Sequence, residues 1–241
     1  MSDTGQLRAA VIGLVALAAA EEEVLLATPR VLEEEGSAED WAALPLIAHN
    51  TEFKGQQLQR LQAVRRGEDP PSFAEIDHRS TALYTRYASE TPESVGKASR
   101  NTTRALLEEL RAVSDEDLLD PSRHAFLAGR HLWLQVVVRG FWHPAGHLGD
   151  YYLAHGLKSE ALSLQERAVA FAAHLCAPDP ARAMALYNLA CIQARVGLPA
   201  CATTLAGALA ANPDLRANAR RDPDLEALRA DGSLAALLGP E

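Results

Sequence analysis

The 241-residue chain has three cysteines, Cys176, Cys191 and Cys201. The number is odd, all three lie in the last third, and no two form a C-x-x-C pair, so the chain has no disulfide framework. Small buried thiols in a reducing compartment are the simplest reading, and a cytoplasmic protein is expected. Basic charge is also short. Twenty-three Lys and Arg face 32 Asp and Glu, a net charge of -9, and only Lys54, Lys97 and Lys158 are lysines. Bulk charge therefore offers no attraction to nucleic acid or an anionic membrane. No apolar run reaches the roughly 20 residues needed to span a bilayer. The nearest, Ala9 to Ala20, ends in small residues as a signal-peptide core does. Yet only Arg8 precedes it, offset by Asp3, and the pattern continues through Glu21-Glu22-Glu23 into Val24-Leu25-Leu26, as one long helix would. Also missing are a phosphate-binding glycine loop, a dinucleotide fingerprint, a nucleophile elbow and any useful strand-like alternation. What is left is an all-α chain, and its 48% hydrophobic content argues against wholesale disorder.

The helices follow from the apolar period. Leu7, Ala10, Val11, Leu14, Leu17, Ala18 and Leu25 predict a first helix over about 6–27. Ser37 or Asp40 can cap a second, with Pro45 near its first turn and Trp41, Leu44, Ile47, Ala48, Leu58 and Leu61 on its apolar positions. It ends near Arg65-Arg66-Gly67. A shorter helix over 72–88 carries Phe73, Ile76, Leu83, Tyr84 and Tyr87; another runs over 92–113 behind Thr91, and a short one follows Ser114. The stretch 123–141 is apolar most of the way round and should be a central helix. The runs Glu21 to Glu23 and Glu33 to Glu35 read as solvated faces.

The last third has a different pattern. Leu148-Gly149, Tyr152, Gly156, Ala161 and Ala168 fall on the small and bulky positions of a 34-residue tetratricopeptide repeat. Leu186 to Ala190, Gly197, Leu205, Ala208 and Pro213 give a second, degenerate copy, with an insertion placed at 176–182. The tail, Asp222 to Arg229, is similar to the short capping helices of such arrays. This resemblance covers about residues 145–238. Two repeats are too few for independent stability and should pack on the preceding helices.

Histidine is the informative residue. His143 and His147 form H-x-x-x-H, and positions i and i+4 share a helix face, so two imidazoles can bind one divalent ion. His49, mid-way along the second helix, is the best third ligand, because mid-helix residues of a bundle converge in its core. Pro144 lies inside the H-x-x-x-H. It either kinks the helix, with Gly140 easing the clash, or opens a new helix behind His143. The same residues open the first repeat, so His147 packing between repeats and His143 exposed at the surface is the competing reading. Asp150 and Tyr151 follow on the face of His147, and Glu52 lies one turn after His49. Each is a candidate for orienting a ligand or for acid–base work, against a plain surface role. His78, His124, His131, His155 and His174 have no partner pattern.

The order Trp41-x-x-Leu44-x-x-Ile47-Ala48-His49-x-x-Glu52, then Trp142-His143-x-x-x-His147-Leu148, resembles the DinB-like four-helix-bundle superfamily. The resemblance covers about residues 5–155. It implies an up-down helical bundle over 1–155 followed by a tetratricopeptide-like tail over 156–241, with the last bundle helix shared. It also implies a divalent metal, zinc or nickel, on His49, His143 and His147. The activity it implies is a metal-dependent thiol transferase or hydrolase acting on a small electrophilic molecule, with a low-molecular-weight thiol as possible cofactor and detoxification or self-resistance as the setting. Two other readings remain open: a non-catalytic adaptor whose tail binds a protein partner or a second copy, and a metal-free protein that sequesters a small molecule.

Overall fold

The structure, a computed structural model, describes residues 3–28, 31, 35–37, 40–73, 81–173 and 180–239. Among these there is no strand; the described chain is all-helical. It divides into two compact units, 1–154 and 155–241. No helix among the described residues is long and apolar enough to cross a membrane.

In the first unit, α1 spans Asp3–Leu26 and buries Leu7, Val11, Leu14, Ala18 and Leu25. α2 spans Ala43–Arg66. It starts later than Ser37 or Asp40 would have it. The Ser37 hydroxyl instead accepts from the Asp40 N–H in a turn outside the helix, and Ala42 takes the cap position without a side-chain bond. Pro45 sits in the first turn, where its missing N–H is one of the donors no helix satisfies. Gly67 closes α2 at φ +71°, with Glu68 N–H reaching back to the Ala63 carbonyl. α3 covers Thr81–Ala88; the remainder of the helix predicted over 72–88 falls largely on 74–80, outside the described residues, as does His78. α4, Pro92–Ala112, is capped by Thr91, whose hydroxyl accepts from Ser94 N–H at 3.1 Å. α5, Asp115–Leu119, is capped likewise by Ser114.

The apolar helix predicted over 123–141 is shorter than its composition implies. Residues 125–127 form one 3-10 turn, and Ala128 and Gly129 take left-handed conformations that end it. The helix proper begins at Leu132. α6 (Leu132–Val137), a π-helical turn (Val138–Trp142) and α7 (His143–Ala154) then run as one element. α1, α2, α4 and this composite fourth run pack on one another, burying Leu14, Ile47, Leu61, Leu106, Val136 and Phe141.

This core also holds charge. Lys54 is fully buried; its Nζ donates to Glu22 at 2.5 Å and to the Thr103 hydroxyl at 3.2 Å, while the Ser99 hydroxyl donates to Glu22 at 2.9 Å. Glu21 is buried as well and accepts from the Tyr152 hydroxyl at 2.6 Å. Glu21 and Glu22 are therefore interior groups and not the solvated face that a run of glutamates predicts. Glu33 and Glu34 lie outside the described residues.

In the second unit, α8 (Lys158–Ala172), α9 (Pro180–Arg195) and α10 (Cys201–Ala211) pack in sequence, α8 on α9 and α9 on α10. Gly197, at φ +78°, turns the chain between α9 and α10, and Leu198 N–H bonds the Gln193 carbonyl. α11 (Leu215–Ala219), a 3-10 turn (Pro223–Leu225), α12 (Glu226–Ala230) and α13 (Ser233–Leu238) follow. Their Leu225, Leu228, Leu234 and Leu238 join the α9–α10 core. Cys176, His174 and most of the insertion expected over 176–182 lie outside the described residues.

Candidate metal centre

Pro144 decides how α7 begins. Inside an α-helix, its ring would meet the Gly140 carbonyl, and its missing N–H would leave that carbonyl without a partner. The chain answers with the π turn: His143 N–H bonds the Val138 carbonyl five residues back, and His143 keeps helical angles (φ -61°, ψ -51°). The helix neither stops nor restarts at the proline. The wide turn also sits against α1. A Cβ on Gly140 would lie 2.9 Å from Val15 Cγ2, so only glycine fits without displacement.

His143 and His147 leave this element on one face, with ring centroids 4.5 Å apart. His49 meets them from α2. Its ring centroid is 5.0 Å from His143 and 5.1 Å from His147, and the Nε2 atoms of His49 and His143 are 3.0 Å apart. One nitrogen from each ring lies within 4.8 Å of the other two. His49 is fully buried, and His143 and His147 are half-buried. Ligand nitrogens about 2.0–2.1 Å from a tetrahedral ion stand roughly 3.3 Å apart, so three neutral imidazoles so placed fit a divalent ion such as zinc.

Aromatic side chains wall the histidines. Phe53, one turn after His49, stacks on His143 with centroids 3.8 Å apart and planes 14° from parallel. Trp41 meets His49 edge-on at 5.2 Å. It does so from the segment before α2, not from the helix that the sequence pattern assigns it to. Tyr87 on α3 adds a third ring, 5.7 Å from His49. The alternation of apolar residues marked Tyr87 only as a packing position; nothing local in sequence ties it to His49.

The other predicted residues are not among the three mutually close ligand residues. Glu52 is held by the Tyr87 hydroxyl and by Arg86, which also donates to the Tyr87 oxygen at 2.7 Å. Burial and then the Glu52 hydrogen bond push the Tyr87 hydroxyl well above the usual tyrosine range. Asp150 is exposed and Tyr151 is buried, its ring 6.0 Å from Tyr152; neither belongs to the cluster of mutually close ligand atoms. His131 Nδ1 lies 2.6 Å from the Leu119 carbonyl and His124 lies beside Asp117 at 3.3 Å, so both have structural partners.

A second group of ligand-type atoms, Cys191, Asp222 and Asp224, occurs in the second unit. Asp222 is already engaged: it accepts from the Tyr187 hydroxyl at 2.7 Å and from Asp224 N–H at 3.0 Å, capping the 3-10 turn. Burial, then the charge of Asp222, pushes the Cys191 thiol far above its usual range. With Asp222 engaged in this way, the group reads as the anchor of the tail.

No family model, curated protein or solved structure matches the chain.

Proposed function

We propose that the chain is a metal-dependent enzyme of the DinB-like kind, acting on a small electrophilic molecule with a low-molecular-weight thiol or water as nucleophile. The observation that carries this reading is the convergence of His49, His143 and His147 from two helical runs of a four-run bundle, in the order that resembles that superfamily. His49, His143 and His147 would hold a divalent ion, which would supply an open position and lower the pKa of a thiol or water bound there. The chain's own residues do the rest. Phe53 fixes the His143 ring by stacking, and Trp41 and Tyr87 cover the His49 side and exclude water. Tyr87 is itself fixed by Glu52, which accepts from its hydroxyl, so Glu52 is a positioning residue for the ring that covers His49. For the second unit we propose a tetratricopeptide-like arrangement, supported by the α9–α10 pair, the left-handed Gly197 between them and the buried Ala190 and Ala208 at their contact.

The test is turnover of metal-loaded protein against a panel of alkyl halides, epoxides and activated esters, with and without small thiols. We expect metal- and nucleophile-dependent consumption of at least one electrophile, lost in His147→Ala. A folded, metal-loaded protein that consumes none of them, or a His147→Ala variant with full turnover, contradicts the reading.

A further inference from the structure

Three turns along α2 from His49, on the same face, stands Arg60; one turn before His143, in the π turn, stands Arg139. Both guanidiniums are half-buried. Neither is ion-paired with a carboxylate among the described residues. Arg139 donates to the neutral side-chain oxygen of Gln56 at 3.0 Å and lies over the Phe53 ring at 5.2 Å. Arg60 lies over the Phe73 ring at 4.8 Å, and its Nη1 is buried with no hydrogen-bond partner among the described residues. The Gln57 side chain, between Phe53 and Arg60 on α2, is fully buried with both amide atoms in the same condition. Among the other arginines of this unit, Arg8 pairs with Asp115, Arg65 with Glu109, Arg66 with Glu68, Arg86 with Glu52, Arg100 with Glu23, and Arg123 with Glu116 and Asp117, while Arg104 and Arg130 donate to the Asn101 side-chain oxygen and the Leu127 carbonyl. Withdrawing two like charges from water without a counter-ion is unfavourable: burial, then the charge of Arg139, lowers Arg60 to about 10, and burial lowers Arg139. An anion from solution would complete both groups.

The place of that anion is set by Phe53. One ring touches both His143, at 3.8 Å, and the Arg139 guanidinium, at 5.2 Å. The guanidinium is therefore no farther from the imidazole than those two steps end to end.

We infer that Arg60 and Arg139, with Gln56 holding Arg139, form a carboxylate-binding subsite beside the three histidines, so that the molecule turned over there, or the thiol that attacks it, is an organic acid. This rests on the enzymatic reading for its chemistry but not for its binding test.

The test uses the metal-free protein. Titration calorimetry with 3-mercaptopropionate and with chloroacetate is compared with their neutral counterparts, 2-mercaptoethanol and chloroacetamide. We expect the acids to bind and the neutral molecules to bind at least about tenfold more weakly, with Arg60→Gln and Arg139→Gln each removing about tenfold or more from the acids alone. Arg139→Lys keeps the charge, loses the two-pronged geometry, and should recover only part of the affinity. Whichever acid is discriminated identifies the source of the carboxylate as thiol or electrophile. Equal binding of acid and neutral molecule by the folded wild-type protein, or unchanged affinity in Arg60→Gln, overturns the inference even if an Arg139 variant does not fold. Selective acid binding without any turnover leaves the subsite standing and overturns the enzymatic reading alone.

Discussion

Lys54 heads the large side chains of the described residues that are wholly withdrawn from solvent. Its ammonium is tolerable there only because Glu22 and Thr103 surround it. Breaking a buried pair from one side leaves an uncompensated charge, whereas replacing both partners by apolar groups of similar size is often neutral. Lys54→Ala should lower stability by about 3–5 kcal/mol in denaturant unfolding. The double variant Lys54→Met/Glu22→Leu should lie well above it; equal losses would show that the pair is not coupled. At the same scale, Cys191 should resist alkylation in the native state. Iodoacetamide at mildly alkaline pH, followed by peptide mass mapping, should leave it unmodified until denaturant is added, because burial and Asp222 keep its thiol protonated.

At the scale of the element, the π turn at Val138–Trp142 carries much of the site. It absorbs Pro144, keeps His143 helical and puts the chain close against α1. π turns of this kind are common at functional sites. Gly140→Ala forces a methyl to 2.9 Å from Val15 Cγ2, so we expect a stability loss of about 1–3 kcal/mol and a weaker metal affinity, since the displaced turn carries His143. Unchanged stability and affinity would mean that the close approach is not needed. The H-x-x-x-H was legible in sequence because spacing on one helix is local information. The means by which it survives a proline was not, because relief by a π turn depends on what α1 presents on the other side. Tyr87, Arg60 and Arg139 were hidden for a related reason: each meets the site through tertiary packing that no period records; Trp41 was visible in the pattern, but not its place ahead of α2. The boundary of α6 was misplaced because apolar composition continues through 125–127 while the backbone turns left-handed at Ala128 and Gly129.

On the scale of the whole chain, helical content followed directly from the apolar period. The assignment of Glu21 and Glu22 to solvent failed because composition counts charges without knowing their partners. The three histidines lie wholly within the first unit, and the tail is fastened within the second by Leu225, Leu228, Leu234 and Leu238. Leu225 is fully buried, so Leu225→Ala should cost about 2–5 kcal/mol through the cavity it leaves. Thermal unfolding should register that loss while the metal content of the folded protein stays unchanged; loss of metal together with tail packing would argue against a site confined to the first unit.

The most direct measurement is elemental analysis by mass spectrometry of purified, untagged protein beside His49→Ala and His143→Ala, with circular dichroism as the control for folding. We expect about one zinc or nickel per chain in the wild type and near none in either folded variant, because two imidazoles alone hold a divalent ion weakly. Metal-free wild-type protein that also fails to take up added zinc, or folded variants that retain a full equivalent, would contradict the metal centre.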